Sequence, residues 1–188
     1  MKIPRLKTSD ILFIALIVLL LIPQTRTPIQ VAVNKLKMLV WTPSVEAMDN
    51  QKKVVPFSYK VRDLNGKYKE IPIGEKQVTF LSYWATWCPP CLAELPSIQA
   101  LYNDYGDKVN FVLLTQENTQ KVERFMNKKE YDLPIYFPQM QTPEALEEKS
   151  IPTNYIIDTK GNIIIKETGA ADWNSTKVRK VLDNLVSY

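Results

Sequence analysis

The fold class that the sequence predicts is α/β: a mixed β-sheet flanked by helices, with an added N-terminal β-hairpin and an apolar N-terminal membrane segment. Three observations predict it. From Val78 onward, short apolar runs alternate with stretches of helical periodicity. Hairpin signals before and after that alternation bring in antiparallel strands. The first 41 residues differ in charge and hydropathy from the rest, and a length of 188 residues suits one ordinary domain plus such an appendage.

In chain order, Lys2, Arg5 and Lys7 precede twelve uninterrupted apolar residues, Ile11 to Ile22. That is the order of a secretory signal, a basic start and then a hydrophobic run. Twelve helical residues span only about 18 Å of a roughly 30 Å hydrocarbon core, which favours cleavage. The lack of a prompt small-x-small pair after Ile22 favours an uncleaved anchor that extends beyond the apolar run, with the N-terminus in the cytoplasm. Residues 1–41 are therefore expected to form a signal-anchor and juxtamembrane segment, 42–55 a polar linker, and 56–188 the folded domain.

Within the domain, Phe57, Tyr59 and Val61 alternate with polar residues, Asn65-Gly66 supplies a turn, and Tyr68 to Ile73 returns as a strand that Pro72 marks as an edge. Val78 to Trp84 and Val109 to Leu114 are buried strands on either side of a helix carrying Leu95, Ile98, Tyr102 and Tyr105. Asn118 or Thr119 caps a helix with Val122, Phe125 and Met126, and Leu133 to Phe137 is a short strand. Thr142-Pro143 opens a small acidic helix. Tyr155 to Ile157, a Lys160-Gly161 turn and Ile163 to Ile165 form a second hairpin, before a last helix with Val178, Val181, Leu182, Leu185 and Val186. This order predicts helices on both faces of the sheet.

Composition removes several function classes. With no histidine, Ser-His-Asp and Cys-His catalysis and His-ligated metals are excluded within this chain. With two cysteines, no four-cysteine metal cluster is available. Six basic residues against one acid in 1–41 account for the positive net charge, leaving the body slightly acidic, so nucleic acid is not expected as a partner.

The two cysteines stand in Trp84-Ala85-Thr86-Trp87-Cys88-Pro89-Pro90-Cys91, at a strand end and a helix start. Free N–H groups and the helix dipole favour an anion there, making Cys88 the nucleophile. Cys91, one turn on, is placed to attack a mixed disulfide on Cys88. Pro89 and Pro90 stiffen the turn but remove two donors, so the thiol pKa is expected to be moderately lowered and the pair reducing. A merely structural bridge would close so short a loop for only about 2 kcal/mol. Haem attachment is excluded because Leu92 stands where histidine is required. No metal or other cofactor is expected beyond the redox-active Cys88–Cys91 disulfide.

These residues resemble the thioredoxin superfamily, and within it the TlpA/ResA-like membrane-anchored thiol-disulfide oxidoreductases. The likeness covers about residues 55 to 186 and also rests on Phe57 to Lys67, Glu94-Leu95-Pro96 and Ile151-Pro152-Thr153. It implies a thioredoxin-like sheet, Cys88 as attacking and Cys91 as resolving thiol, and a cis Pro152 that helps to present substrate backbone. It makes Glu94 a functional acid, where the residues alone would suggest a surface carboxylate. The position that carries a buried aspartate in thioredoxins is Ser82 here. Trp87, Pro89, Pro90, Ile151 and Pro152 are the expected substrate-binding residues; Trp173 has no role assignable from sequence. The implied function is reduction of disulfides in exported proteins outside the cytoplasm, in the periplasm or cell envelope, with electrons from a membrane thiol donor and apocytochromes c as one client class. A general envelope thiol reductant and a non-catalytic thiol or soft-metal binding module are the alternatives.

Overall fold

A computed structural model describes residues 7–46 and 52–187. Lys2 and Arg5 of the basic start and residues 47–51 of the expected linker lie outside the described residues. A seven-stranded mixed sheet organises the domain. Its strands are β1 (Phe57–Asp63), β2 (Tyr68–Ile73), β3 (Thr79–Tyr83), β4 (Asn110–Leu114), β5 (Ile135–Pro138), β6 (Thr153–Ile157) and β7 (Ile163–Thr168), in the order β2-β1-β5-β4-β3-β6-β7. The central strands β3, β4 and β5 are parallel; β1 runs antiparallel to β2 and β5, and β6 antiparallel to β3 and β7.

The N-terminal hairpin follows from its turn. Asp63 Oδ1 accepts from the N–H groups of Asn65 and Lys67, and Gly66 takes φ +79. Strand β2 lies at the sheet edge, where Pro72 interrupts no inner ladder.

The helices distribute differently from expectation. Alternation sends Phe80, Phe111, Leu113 and Ile156 to one face and Leu81, Val112, Tyr155 and Ile157 to the other. Helices α3 (Pro89–Tyr105), α4 (Thr119–Lys129) and α5 (Thr176–Val186) all pack on the first face, through Leu95, Ile98, Leu101, Val122, Met126, Val178 and Leu182. The second face is closed by hairpin residues, Val54 and Leu146. The acidic helix expected after Thr142-Pro143 is a single 3-10 turn, Glu144–Leu146, because Leu146 alone is buried and no side chain caps its start.

Helix α1 (Thr8–Leu21) holds most of the apolar run, with Ile11 to Ile14 exposed. It does not extend past that run: Ile22 is extended and Pro23 opens α2 (Pro23–Met38), where proline's fixed φ suits a first helical position. Among the described residues no helix is long and apolar enough to cross a membrane.

Helix α2 packs on α3. The described ends of the 42–55 stretch are held on the domain as well. Glu46 N–H donates to Ile164 O at 2.9 Å, Val54 N–H to Gly161 O at 2.8 Å, and Ile163 N–H to Lys52 O at 2.9 Å.

Candidate active site

The parallel strand β3 delivers the chain to the start of α3, so Cys88 becomes the N-cap residue, with extended backbone at φ −91 and ψ 104. An N-cap side chain faces the first free N–H groups of its helix. Pro89 and Pro90 have none to offer, so the first donor is Cys91 N–H, which points at Cys88 Sγ at 3.3 Å. The two cysteines form a disulfide across this turn, with Cα atoms 5.2 Å apart. Cys88 is 3% and Cys91 0% exposed.

Glu94 lies one turn beyond Cys91 and is 1% exposed. It is no surface carboxylate. Asn154 Nδ2 donates to its Oε1 at 2.9 Å, while Trp173 Nε1 at 3.3 Å and Ala171 N at 3.4 Å donate to Oε2. Loss of hydration on burial pushes its pKa up to about 8, against the pull of these donors, with a smaller upward push from Glu167. Ser82 is buried on β3 directly across from Asn154 on β6, so that position offers the site no carboxyl.

The loop before Cys88 is tied from outside the motif. Glu117 accepts from both the N–H and the Oγ1 of Thr86 and pairs with Lys121 at the start of α4. Burial alone would raise the Glu117 pKa, but the bonds from Lys121 and Thr86 hold it below the usual carboxylate range.

Two concavities flank the pair. A cavity of about 340 Å³ is lined by Tyr83, Trp84, Trp87, Glu117, Glu148 and Ile151, among others. A second, of about 480 Å³, lies between α2 and the motif and is lined by Arg26, Thr27, Gln30, Asn34, Trp87, Pro89 and Pro90. The five residues expected to meet substrate therefore divide. Trp87 is 62% exposed and borders both cavities; Pro89 and Pro90 border the second, Ile151 the first. Pro152 is buried behind a cis Ile151–Pro152 bond.

Three contributors escaped the sequence. Asn154 left a faint signal, a polar side chain in a five-residue strand buried throughout. Glu117 and Trp173 left none, since the groups they hold in the site, Thr86 and Glu94, are brought to them by tertiary packing.

A Redoxin family model matches residues 51–185. Sporulation thiol-disulfide oxidoreductase A of Bacillus subtilis is 28% identical over 147 residues, covering 74% of this chain and 87% of its own. Thiol-disulfide oxidoreductase ResA of Bacillus cereus is 32% identical over 117 residues, 60% of this chain and 66% of its own. The crystal structure of StoA from Bacillus subtilis aligns with a TM-score of 0.53 at 27% identity, over 69% of this chain and 96% of that one. A DsbF homologue from Corynebacterium diphtheriae shares the fold, with a TM-score of 0.60 at 18% identity, over 77% and 93%.

Proposed function

Because the chain belongs to the Redoxin family and is a thiol-disulfide oxidoreductase of thioredoxin-like fold acting on disulfide-bearing proteins, we infer that it reduces exported clients through Cys88, with Cys91 resolving. The reduced pair starts the cycle. Cys88 thiolate attacks one sulfur of a client disulfide, and the other client sulfur leaves as a thiolate. Cys91 then gives up its proton and attacks Cys88 Sγ; the mixed disulfide breaks, the client departs with two reduced sulfurs, and the Cys88–Cys91 bond forms. Two electrons have moved to the client. A membrane thiol donor returns them, since the exported side of a membrane is oxidising.

The observation that carries this reading is the N-cap geometry, with Cys91 N–H aimed at Cys88 Sγ. When its own carboxyl is ionised, Glu94, one turn from Cys91, takes the proton that Cys91 releases. Trp87, Pro89, Pro90 and Ile151 form the client-facing rim, with Pro152 buried directly behind Ile151.

The basic start and apolar run support an N-terminal anchor (1–41) that holds the catalytic domain (56–188) outside the cytoplasm, with 42–55 joining them. Helix α2 supports a membrane-embedded electron donor. Arg26, which borders the cleft beside Pro89 and Pro90, is only about 6 Å of helical rise past Ile22, so the redox pair stays close to the anchored segment. Apocytochromes c are the client class we favour, because their paired cysteines must be reduced before haem is attached.

The Cys91→Ser chain, expressed with its anchor, tests this directly. It is expected to accumulate disulfide-linked clients, with apocytochromes among them when identified by mass spectrometry. No trapped client, in cells where the Cys88→Ser control also traps none, would overturn the reading. Trapping of unrelated envelope proteins alone would replace the cytochrome role with general thiol maintenance.

A further inference from the structure

Glu94 is held by donors only. Asn154 Nδ2, Trp173 Nε1 and Ala171 N all give hydrogen bonds to its carboxyl oxygens. That arrangement satisfies a carboxylate. A protonated carboxyl also has an O–H to place, and at 1% exposure that proton needs an acceptor within the protein.

One idle acceptor is carried by a residue already bonded to Glu94. Asn154 is 0% exposed, and its Oδ1 is buried with no hydrogen-bond partner. Directly across the β3–β6 ladder, Ser82 Oγ is buried and unpartnered too. Opposed side chains on neighbouring antiparallel strands have Cβ atoms only about 5 Å apart. A half-turn of the Asn154 carboxamide exchanges its oxygen and nitrogen, along a side-chain torsion that is broad and roughly two-fold.

We propose that Asn154 is a two-state positioning residue: its Nδ2–H donates to ionised Glu94, and after the amide turns over its Oδ1 accepts the O–H of protonated Glu94. Asn154 Oδ1, buried without a partner while Nδ2 donates to Glu94, gains one in the turned state. Trp173 Nε1 stays a donor throughout, on the other carboxyl oxygen. Resting on the reading of Glu94 as the group that takes the Cys91 proton, the device gives that proton a prepared place. Cys91 S–H breaks, Glu94 O–H forms, and the amide rotates to receive it; re-protonation of Cys91 reverses each change. Nothing is oxidised or reduced in this step.

The surroundings keep the titration simple. Glu167 on β7 is the charged group that acts on Glu94 from outside its own helix, and it opposes ionisation, as burial does. Asp172, in the loop that supplies Ala171 and Trp173, turns its Oδ1 to Asn174 N–H. Cys91, the titratable neighbour on α3, is locked in the disulfide of the oxidised chain.

The test is an NMR titration of the oxidised chain that follows the Glu94 side-chain carboxyl carbon and the Asn154 side-chain amide. In the unaltered chain both signals should move with one shared midpoint. Trp173→Phe removes a donor alone and should raise that midpoint by about one pH unit, the scale of one charge-assisted hydrogen bond. Asn154→Leu removes a donor to one state and an acceptor from the other. It should move the midpoint by less than half as much, while lowering Tm on both sides of the titration. An Asn154 amide that ignores the Glu94 titration would overturn the proposal; so would an Asn154→Leu midpoint raised as far as that of Trp173→Phe. If the two signals do move together but Glu94→Gln leaves the pH profile of client exchange unchanged, the proton-acceptor reading falls and the amide switch stands.

Discussion

Pro89 and Pro90 show how two residues can set a reactive centre by what they lack. Without their N–H groups, the thiol of Cys88 meets one backbone donor, Cys91 N–H, where a helix start offers several. The expected consequence is a thiolate stabilised moderately rather than extremely, and with it a pair that gives electrons. The Cys-x-x-Cys spacing and both prolines are plain in the sequence because they are neighbours along the chain. Glu94 gained meaning only through resemblance, and Asn154 and Trp173 stayed hidden because they reach it across 60 and 79 residues. Burial of Glu94 also has a consequence for stability. Below about pH 4.5 it is protonated whether the chain is folded or not; above that the unfolded chain releases the proton, while the folded chain keeps it until about pH 8. Folding must then take up a proton, so stability falls as pH rises through that window, by up to about 1.4 kcal/mol per unit. In denaturant titrations of the oxidised chain, Glu94→Gln should flatten this slope between pH 5 and 8. An unchanged slope would mean that Glu94 ionises as an ordinary carboxyl.

At the scale of elements, strands and hairpins were readable because a period of two and turn residues such as Asn65-Gly66 are local signals. The crowding of α3, α4 and α5 on one face was not. Helical periodicity tells which residues point inward, but not which side of the sheet receives them. Likewise, nothing in 42–55 announces that its ends are tied to β7 and the turn before it, since backbone pairing needs no side-chain pattern. Gly161 is the residue that permits that tie. At φ +84 it tolerates no ordinary side chain, and a Cβ there would lie 2.2 Å from Val54 O. Gly161→Ala should therefore cost about 2 kcal/mol or more by strain and displacement. Hydrogen exchange should show Val54 N–H losing protection before the central strands. Full protection at Val54 in that variant would show the tie to be independent of Gly161.

Over the whole molecule, helix α2 and the catalytic domain meet beside the redox pair. Helix α2 begins beside Pro89 and Pro90 and ends beside Pro96 and Ser97, running in the same direction as α3. The charge asymmetry and the apolar run marked the N-terminal segment as different in kind, but only its packing places Arg26, Gln30 and Asn34 on the wall of a cleft that includes Trp87. One face of the site thus belongs to α2 and the other to the loop around Ile151. The most direct test of the account is equilibrium titration of the full chain in dithiol–disulfide buffers, following the fraction of Cys88–Cys91 disulfide. The expected result is one two-electron transition, with a slope of about 30 mV per tenfold change and a midpoint nearer about −270 mV than about −120 mV. It should be absent in Cys88→Ser. A pair that never exchanges with the buffer, or a midpoint in the range of a strong oxidant, would contradict it.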